Sequence, residues 1–173
     1  MEICLSQYNV CAYQNSLRNF LGQVSFAEPV AITLTLKQGV RLNSAGQDTY
    51  VALDTNSASQ NLRHFLNLLN AHYLGKRAKR FGERMPVISV LEGTRSKRFH
   101  YHLMADWPKN ESRDLIAGRV GHLWGRTQWG YNECHVRLNA DRGWINYITK
   151  LKDKSDLSSS IDWENCFLPH SSS

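Results

Sequence analysis

His100 and His102, one residue apart in Phe99-His100-Tyr101-His102-Leu103, and Tyr147 and Lys150, in Tyr147-Ile148-Thr149-Lys150, are the residues whose types and spacing fit chemistry. Two imidazoles can grip one cation and a phenol can act as a nucleophile, so together they point to metal-assisted attack on a phosphodiester by a tyrosine. Residues i and i+2 of a strand project from the same face, which turns both imidazoles one way while Phe99, Tyr101 and Leu103 face the other. Taken alone, a His-x-His pair is an ordinary surface alternation. Glu92 changes that reading. It ends the apolar run Pro86-Val87-Ile88-Ser89-Val90-Leu91, and Gly93-Thr94-Arg95-Ser96-Lys97 reads as a hairpin connection. A hairpin centred on Ser96 sets Glu92 opposite His100. Two imidazoles and a carboxylate leave coordination positions open for a substrate oxygen and water, and a mixed N/O set suits Mg²⁺ or Mn²⁺, with Zn²⁺ able to bind in vitro.

The second element lies in Asp141-Arg142-Gly143-Trp144-Ile145-Asn146-Tyr147-Ile148-Thr149-Lys150-Leu151, where Trp144, Ile148 and Leu151 recur at helical spacing and define a buried stripe. Tyr147 and Lys150 are three apart and therefore neighbours beside that stripe. A phenol of pKa about 10 is a poor nucleophile at neutral pH and needs a nearby cation or base. Lys150 supplies that charge or steadies the phosphate under attack. In isolation, a half-buried tyrosine with a snorkelling lysine is the commoner arrangement; the histidine pair is what gives this one a chemical reading.

These motifs resemble those of the HUH endonuclease superfamily, named for its histidine, hydrophobic, histidine motif, and within it the single-tyrosine rolling-circle replication initiators. Ile32-Thr33-Leu34-Thr35-Leu36 resembles the family's first motif, Phe99 to Met104 its second and Tyr147 to Lys150 its third, in the family's order over about residues 30 to 153. Glu92 falls where such initiators often carry an upstream acidic ligand. The tyrosine follows the histidines, unlike in the relaxases of this superfamily. The third residue after it is Lys150 and the fourth Leu151, where the related small transposases typically carry a glutamine at the fourth. No second tyrosine follows in the helix, which argues against the two-tyrosine variants.

The resemblance implies a ferredoxin-like α+β fold and a metal-dependent enzyme that nicks and joins single-stranded DNA at an origin hairpin. It implies a 5′-phosphotyrosyl link through Tyr147, with Glu92, His100 and His102 as metal ligands and host helicase and polymerase as partners. The alternatives are a transposase of the same superfamily, acting on element ends, and a non-catalytic nucleic-acid-binding module. The last of these predicts stacking aromatics on the open sheet face, where the sequence places histidines and threonines.

The elements that must position these residues are read from periodicity. Strand 31–37 and strand 133–139 alternate apolar with polar residues, strands 86–92 and 98–105 form the hairpin, helices are expected near 58–82 and 111–124, and the tyrosine helix near 142–153. Alternation implies a sheet with one face covered and the other polar. The two long helices cover the apolar side and leave the histidine face open to substrate. The order strand, helix, strand, strand, helix, strand matches the ferredoxin-like layer. Residues 1–30 form an N-terminal extension, 31–154 the endonuclease domain and 155–173 a serine-rich tail. That tail reads as mobile or loosely docked, with Trp163 and Phe167 able to pin part of it.

In the long helix Leu62, Phe65, Leu66, Leu69 and Tyr73 make a core stripe. Lys76, Arg77, Lys79 and Arg80 follow as either a dipole-favoured cationic end or a phosphate contact. Arg95, Lys97 and Arg98 on the hairpin, with His135 and Arg137 on the open face, are the candidate DNA contacts. His64, His72, His122 and His170 have no partner pattern and read as structural or surface residues.

A net charge of +6 and an isoelectric point near 9.3 suit a polyanionic partner. Cys4, Cys11, Cys134 and Cys166 show no Cys-x-x-Cys spacing, so free thiols in a reducing cytoplasm are expected, and nothing resembles a zinc finger or a disulfide framework. No signal-like start, no apolar run near the roughly 20 residues a bilayer requires and no phosphate-binding loop of a fused helicase is present in the sequence. A soluble, cytoplasmic protein without membrane partners is the expectation.

Overall fold

Val30, Ile32, Leu34 and Leu36 of strand β1 (Pro29–Leu36) are all buried in one core, while Ala31, Thr33 and Thr35 turn to the opposite face. The computed structural model describes residues 2–44, 47–94, 97–108, 111–151 and 156–168. β1 is flanked on one side by β5 (His100–Asp106), with Thr33 opposite His102, and on the other by β6 (Gly130–Leu138), with Thr33 opposite His135. β4 (Val87–Glu92) pairs with the far edge of β5, giving a four-stranded antiparallel sheet of order β4-β5-β1-β6. Between β1 and β4 come a separate ribbon of β2 (Gly39–Ser44) and β3 (Gln47–Ala52) and helices α2 (Thr55–Leu74) and α3 (Lys76–Phe81). Helix α4 (Arg113–Gly125) joins β5 to β6. The result is the ferredoxin-like α+β layer expected from the sequence.

α2 and α4 lie on one face and bury the larger core. Leu62, Phe65 and Leu69 of α2 and Ile116, Val120 and Trp124 of α4 meet Ile32, Leu34, Tyr101 and Leu103 of the sheet. Phe65 and Trp124 pack edge to face at 5.3 Å between centroids, and the Trp124 indole nitrogen donates to the Thr35 carbonyl at 2.8 Å, so this large buried ring is also satisfied. Burying one such aromatic side chain contributes about 2–3 kcal/mol.

The expected helix over 58–82 is two helices. It starts earlier, where the Asp54 carboxylate accepts from the Ser57 amide at 2.6 Å, and it breaks at Gly75, whose φ of +54° is a conformation that only glycine adopts readily. The basic cluster Lys76, Arg77, Lys79 and Arg80 therefore belongs to the short helix α3, which carries Ala78 against the larger core on the side of the sheet away from the histidines.

The histidine face carries a second, smaller core. An N-terminal helix, α1 (Glu2–Gln23), and the tyrosine helix, α5 (Arg142–Ile148), bury Leu17, Leu21, Ile145 and Ile148 against Ala31, Ile88, Val90 and Met104. The polar remainder of this face stays accessible along β6, where Glu133, His135 and Arg137 are exposed.

The serine-rich segment docks more firmly than its composition suggests. Asp156 caps a single turn, α6 (Leu157–Ser160), and a 3₁₀ turn follows at Trp163–Asn165. Ile161 and Phe167 make isolated antiparallel bridges to Val90 and Val87 on the free edge of β4, and Leu157 and Ile161 are buried. Docking there covers an edge strand that would otherwise present unpaired backbone groups. Phe167 thus pins the segment, while Trp163 is half exposed and only tilts against Phe20 at 6.5 Å.

Candidate metal centre

The hairpin joining β4 to β5 sets the centre. Thr94 and Lys97 exchange backbone hydrogen bonds of 2.9 and 3.2 Å, and the register that follows places Glu92 opposite His100 and Val90 opposite His102. The tip, including Arg95, lies outside the described residues. Strand alternation then puts Glu92, His100 and His102 on one face, where their ligand atoms lie within 4.8 Å of one another. Both histidine Nε2 atoms face the same carboxylate oxygen, Glu92 Oε2, at 3.7 Å from His100 and 3.5 Å from His102.

The donor set fits a cation in detail. Arg98 offers a carbonyl, an acceptor only, to His100 Nδ1 at 3.1 Å, so that nitrogen carries the proton and the neutral ring keeps its lone pair on Nε2. On the neighbouring strand the Thr33 hydroxyl meets His102 Nδ1 at 3.0 Å and can fix that ring in the same way. His102 Nε2 is buried and has no hydrogen-bond partner among the described residues. A buried nitrogen of this kind is costly unless something takes its lone pair. Glu92 is 3% exposed, and a carboxylate so deeply buried requires cationic company. The group can therefore hold a metal ion, with two imidazole nitrogens and one carboxylate oxygen as ligands.

Electrostatics agree. The contact with Glu92 raises the His100 pKa above the usual imidazole value, and burial lowers that of His102, so the two rings differ in proton affinity. Burial by itself would lower Lys150, but the Tyr147 phenol and the Glu92 carboxylate outweigh it and raise the ammonium further, keeping it charged at neutral pH.

α5 brings the tyrosine to this centre. Asp141 caps it by accepting from the Trp144 amide at 3.2 Å. The Trp144 indole donates to the Leu103 carbonyl on β5 at 3.1 Å. Tyr147 stacks on Trp144 with 5.2 Å between centroids and meets the His102 ring nearly edge-on, also at 5.2 Å. Tyr147 nevertheless remains 43% exposed, so part of the side chain faces solvent. Lys150 Nζ lies 3.8 Å from the Tyr147 ring centroid and 3.4 Å from Glu92 Oε2.

α5 is shorter than the sequence predicts. It ends at Ile148: the Thr149 amide still donates to the Ile145 carbonyl at 3.1 Å, as the Thr149 hydroxyl also does at 2.7 Å, but the Lys150 amide closes back on the Tyr147 carbonyl at 3.2 Å in a tighter last turn. Leu151, expected in the buried stripe, is exposed, and Ile145 takes its place beside Ile148.

Of the candidate DNA contacts, Lys97 and Arg98 are exposed on the hairpin arm, and His135 and Arg137 are exposed on β6, on the same face as His102. The His135 imidazole has Glu133 at 3.9 Å. Two aromatic residues of this site escaped the sequence reading. Trp144 looked like a core residue, yet it is the platform that orients Tyr147. Tyr131, which no motif marks, is an exposed ring at the start of β6 with the Arg98 guanidinium 4.4 Å above its centroid.

Among the described residues no helix is long and apolar enough to cross a membrane. Compared with family models, with curated proteins and with solved structures, the chain returned no match.

Proposed function

We propose that the protein is a metal-dependent endonuclease and strand transferase that nicks single-stranded DNA through a covalent tyrosine link, as rolling-circle initiators do. The observation that carries this reading is the convergence, from two separate parts of the chain, the β4–β5 hairpin and the end of α5, of a Glu/His/His cation site, an exposed tyrosine and a charged lysine within a few ångströms. A structural role for any one of them would not require the others.

Mg²⁺ or Mn²⁺ is the metal we assign, because a mixed N/O set that leaves positions open for water and phosphate oxygens suits a divalent ion engaging a phosphate. When bound, the cation supplies positive charge for the non-bridging phosphate oxygens. DNA lies across the polar part of the sheet, with Lys97, Arg98, His135 and Arg137 meeting phosphates and Tyr131 offering a ring for a base. Lys150 holds positive charge beside the phenol and offsets the negative charge on the phosphate under attack, while the phenolic proton leaves to solvent. The Tyr147 oxygen then bonds to phosphorus as the bond from phosphorus to the 3′ oxygen breaks. The 3′ oxygen takes a proton and leaves as a hydroxyl. Because the tyrosyl phosphodiester retains the energy of the bond it replaced, a later 3′-hydroxyl can reverse the exchange and join strands without ATP.

Incubation of the protein with mixed single-stranded oligonucleotides and Mn²⁺, followed by a denaturing gel, tests the reading. A protein band shifted by the mass of a DNA fragment is expected. Tyr131 beside Arg98 also favours a second reading, a nucleic-acid-binding module without catalysis; it predicts retarded complexes on a native gel and no shifted band on the denaturing one.

A further inference from the structure

α5 carries the nucleophile on only seven residues and then stops; the Ile145 and Tyr147 carbonyls accept from the Thr149 and Lys150 amides, which leaves those of Asn146 and Thr149 in need of donors. The partners come from the far end of the sequence. Gln14 Nε2 of α1 donates to the Thr149 carbonyl at 2.7 Å, Arg18 Nη2 donates to the Asn146 carbonyl at 3.2 Å, and Arg18 Nε donates to the Thr149 hydroxyl at 2.9 Å. That hydroxyl in turn donates to the Ile145 carbonyl. Thr149 is fully buried, and the two gripped residues, Asn146 and Thr149, bracket Tyr147 and lead directly into Lys150.

We propose that α1 is the brace of the nucleophile, with Gln14 and Arg18 as positioning residues that fix the Tyr147–Lys150 segment against the cation site. The inference rests on the function proposed above. Gln14, Leu17, Arg18 and Leu21 recur at i, i+3, i+4 and i+7, so they share one face of α1. On that face the leucines are buried and dock the helix, while the half-buried polar pair reaches the end of α5. Asn15, Ser16 and Asn19, off that face, are exposed. A guanidinium at the C-terminal end of α5 is also favourable for the helix dipole. With the grip intact, Tyr147 and Lys150 are held where a phosphate on the cation can meet both; without it the ties that remain, the Asp141 cap, the Trp144 indole bond and the buried Ile145 and Ile148, leave the Asn146 and Thr149 carbonyls without their α1 donors.

The test uses the full chain and four variants: Arg18→Ala, Gln14→Ala, Arg18→Lys and, as a control on the outer face of α1, Asn19→Ala. Two quantities are read besides fold and Mn²⁺ affinity: amide exchange of the peptide covering 143–150, and the single-turnover rate of the covalent adduct at saturating oligonucleotide and Mn²⁺. In Arg18→Ala exchange in that peptide should rise about tenfold, and the adduct rate should fall by up to about a hundredfold, as a misplaced reacting group would make it. Mn²⁺ affinity should stay within about twofold, since the metal ligands lie on other strands. Gln14→Ala should show the same pattern more weakly. Arg18→Lys keeps one donor and should recover part of both losses, and Asn19→Ala should change neither. Unaltered exchange in Arg18→Ala overturns the brace, as does a parallel loss of exchange protection in β5 and of Mn²⁺ affinity, which would mark a general loosening. If the unaltered protein forms no adduct, the proposed function fails by itself and the exchange experiment still decides the brace.

Discussion

Lys150 Nζ stands 3.4 Å from Glu92 Oε2, the oxygen that the Nε2 atoms of both His100 and His102 face. The ammonium thus shares its carboxylate with the position a metal would take, and two like charges so close repel. Replacing Lys150 with methionine keeps the stem and removes the charge. Mn²⁺ affinity should rise about tenfold, which is about 1.4 kcal/mol, while the adduct rate should fall about a hundredfold because the phosphate under attack loses that positive charge. Opposite signs in a Mn²⁺ titration and a gel assay are the signature. A fall in both would place Lys150 among the residues that merely hold the site together.

Metal binding should be visible in stability. A ligand that binds only the folded chain contributes about 2.7 kcal/mol at a hundredfold excess over its Kd, or roughly 5–10 °C in Tm for a domain of this size. Mn²⁺ should produce that shift in a thermal melt and EDTA should reverse it. Glu92→Gln and His102→Ala should lose it.

Tyr131 and Arg98 give a prediction about DNA alone. Stripping the ring in Tyr131→Ala should weaken single-strand binding by about 1–3 kcal/mol per stacked base, measured by fluorescence anisotropy, with Mn²⁺ affinity unchanged. Unaltered binding would leave that end of β6 outside the DNA path.

The docked C-terminal segment can be tested through its thiol. Cys166 accepts a hydrogen bond from the Ser89 amide at 3.3 Å, and burial pushes its pKa up to about 12. Thiolate is the reactive form, so a raised pKa means little reaction at neutral pH and a rate that climbs as pH rises toward that value. Alkylation in the folded protein at pH 8 should modify the exposed Cys11 and spare Cys166, whereas both should react after denaturation. Rapid native labelling of Cys166, read by mass spectrometry, would mean that the segment leaves β4.

Much of the site was legible because its parts are local. Glu92, His100 and His102 belong to one hairpin, and strand alternation with a short connection fixes their register without any distant contact. The ferredoxin-like order was legible for a similar reason, since β1 and β6 alternate, β4 and β5 are joined by a short hairpin, and the long helix carries its own core stripe. The distant partners were harder to read. Leu17 and Leu21 of α1 acquire meaning only when α5 and the sheet face they cover are known, and Ile88, Val90 and Met104 on the histidine face gave no sign of what would cover them. Leu151 falls outside the buried stripe because the helix closes in a tight turn, Lys150 amide to Tyr147 carbonyl, before reaching it. One glycine, Gly75, divided what periodicity made continuous. The β2–β3 ribbon stands apart from the main sheet, with most of β3 exposed, and therefore lacks the half-buried alternation that reveals a strand.

The central claim is that the Tyr147 oxygen forms the bond to DNA. Cleavage after Arg142 and Lys150 releases the peptide Gly143–Lys150, which contains one tyrosine, so mass spectrometry of the trapped adduct locates the bond directly. After incubation with single-stranded oligonucleotides and Mn²⁺, that peptide should carry the nucleotide mass, and Tyr147→Phe should abolish the adduct while retaining DNA binding within about threefold. An adduct that persists in Tyr147→Phe, or a nucleotide mass on any other peptide, would contradict the account.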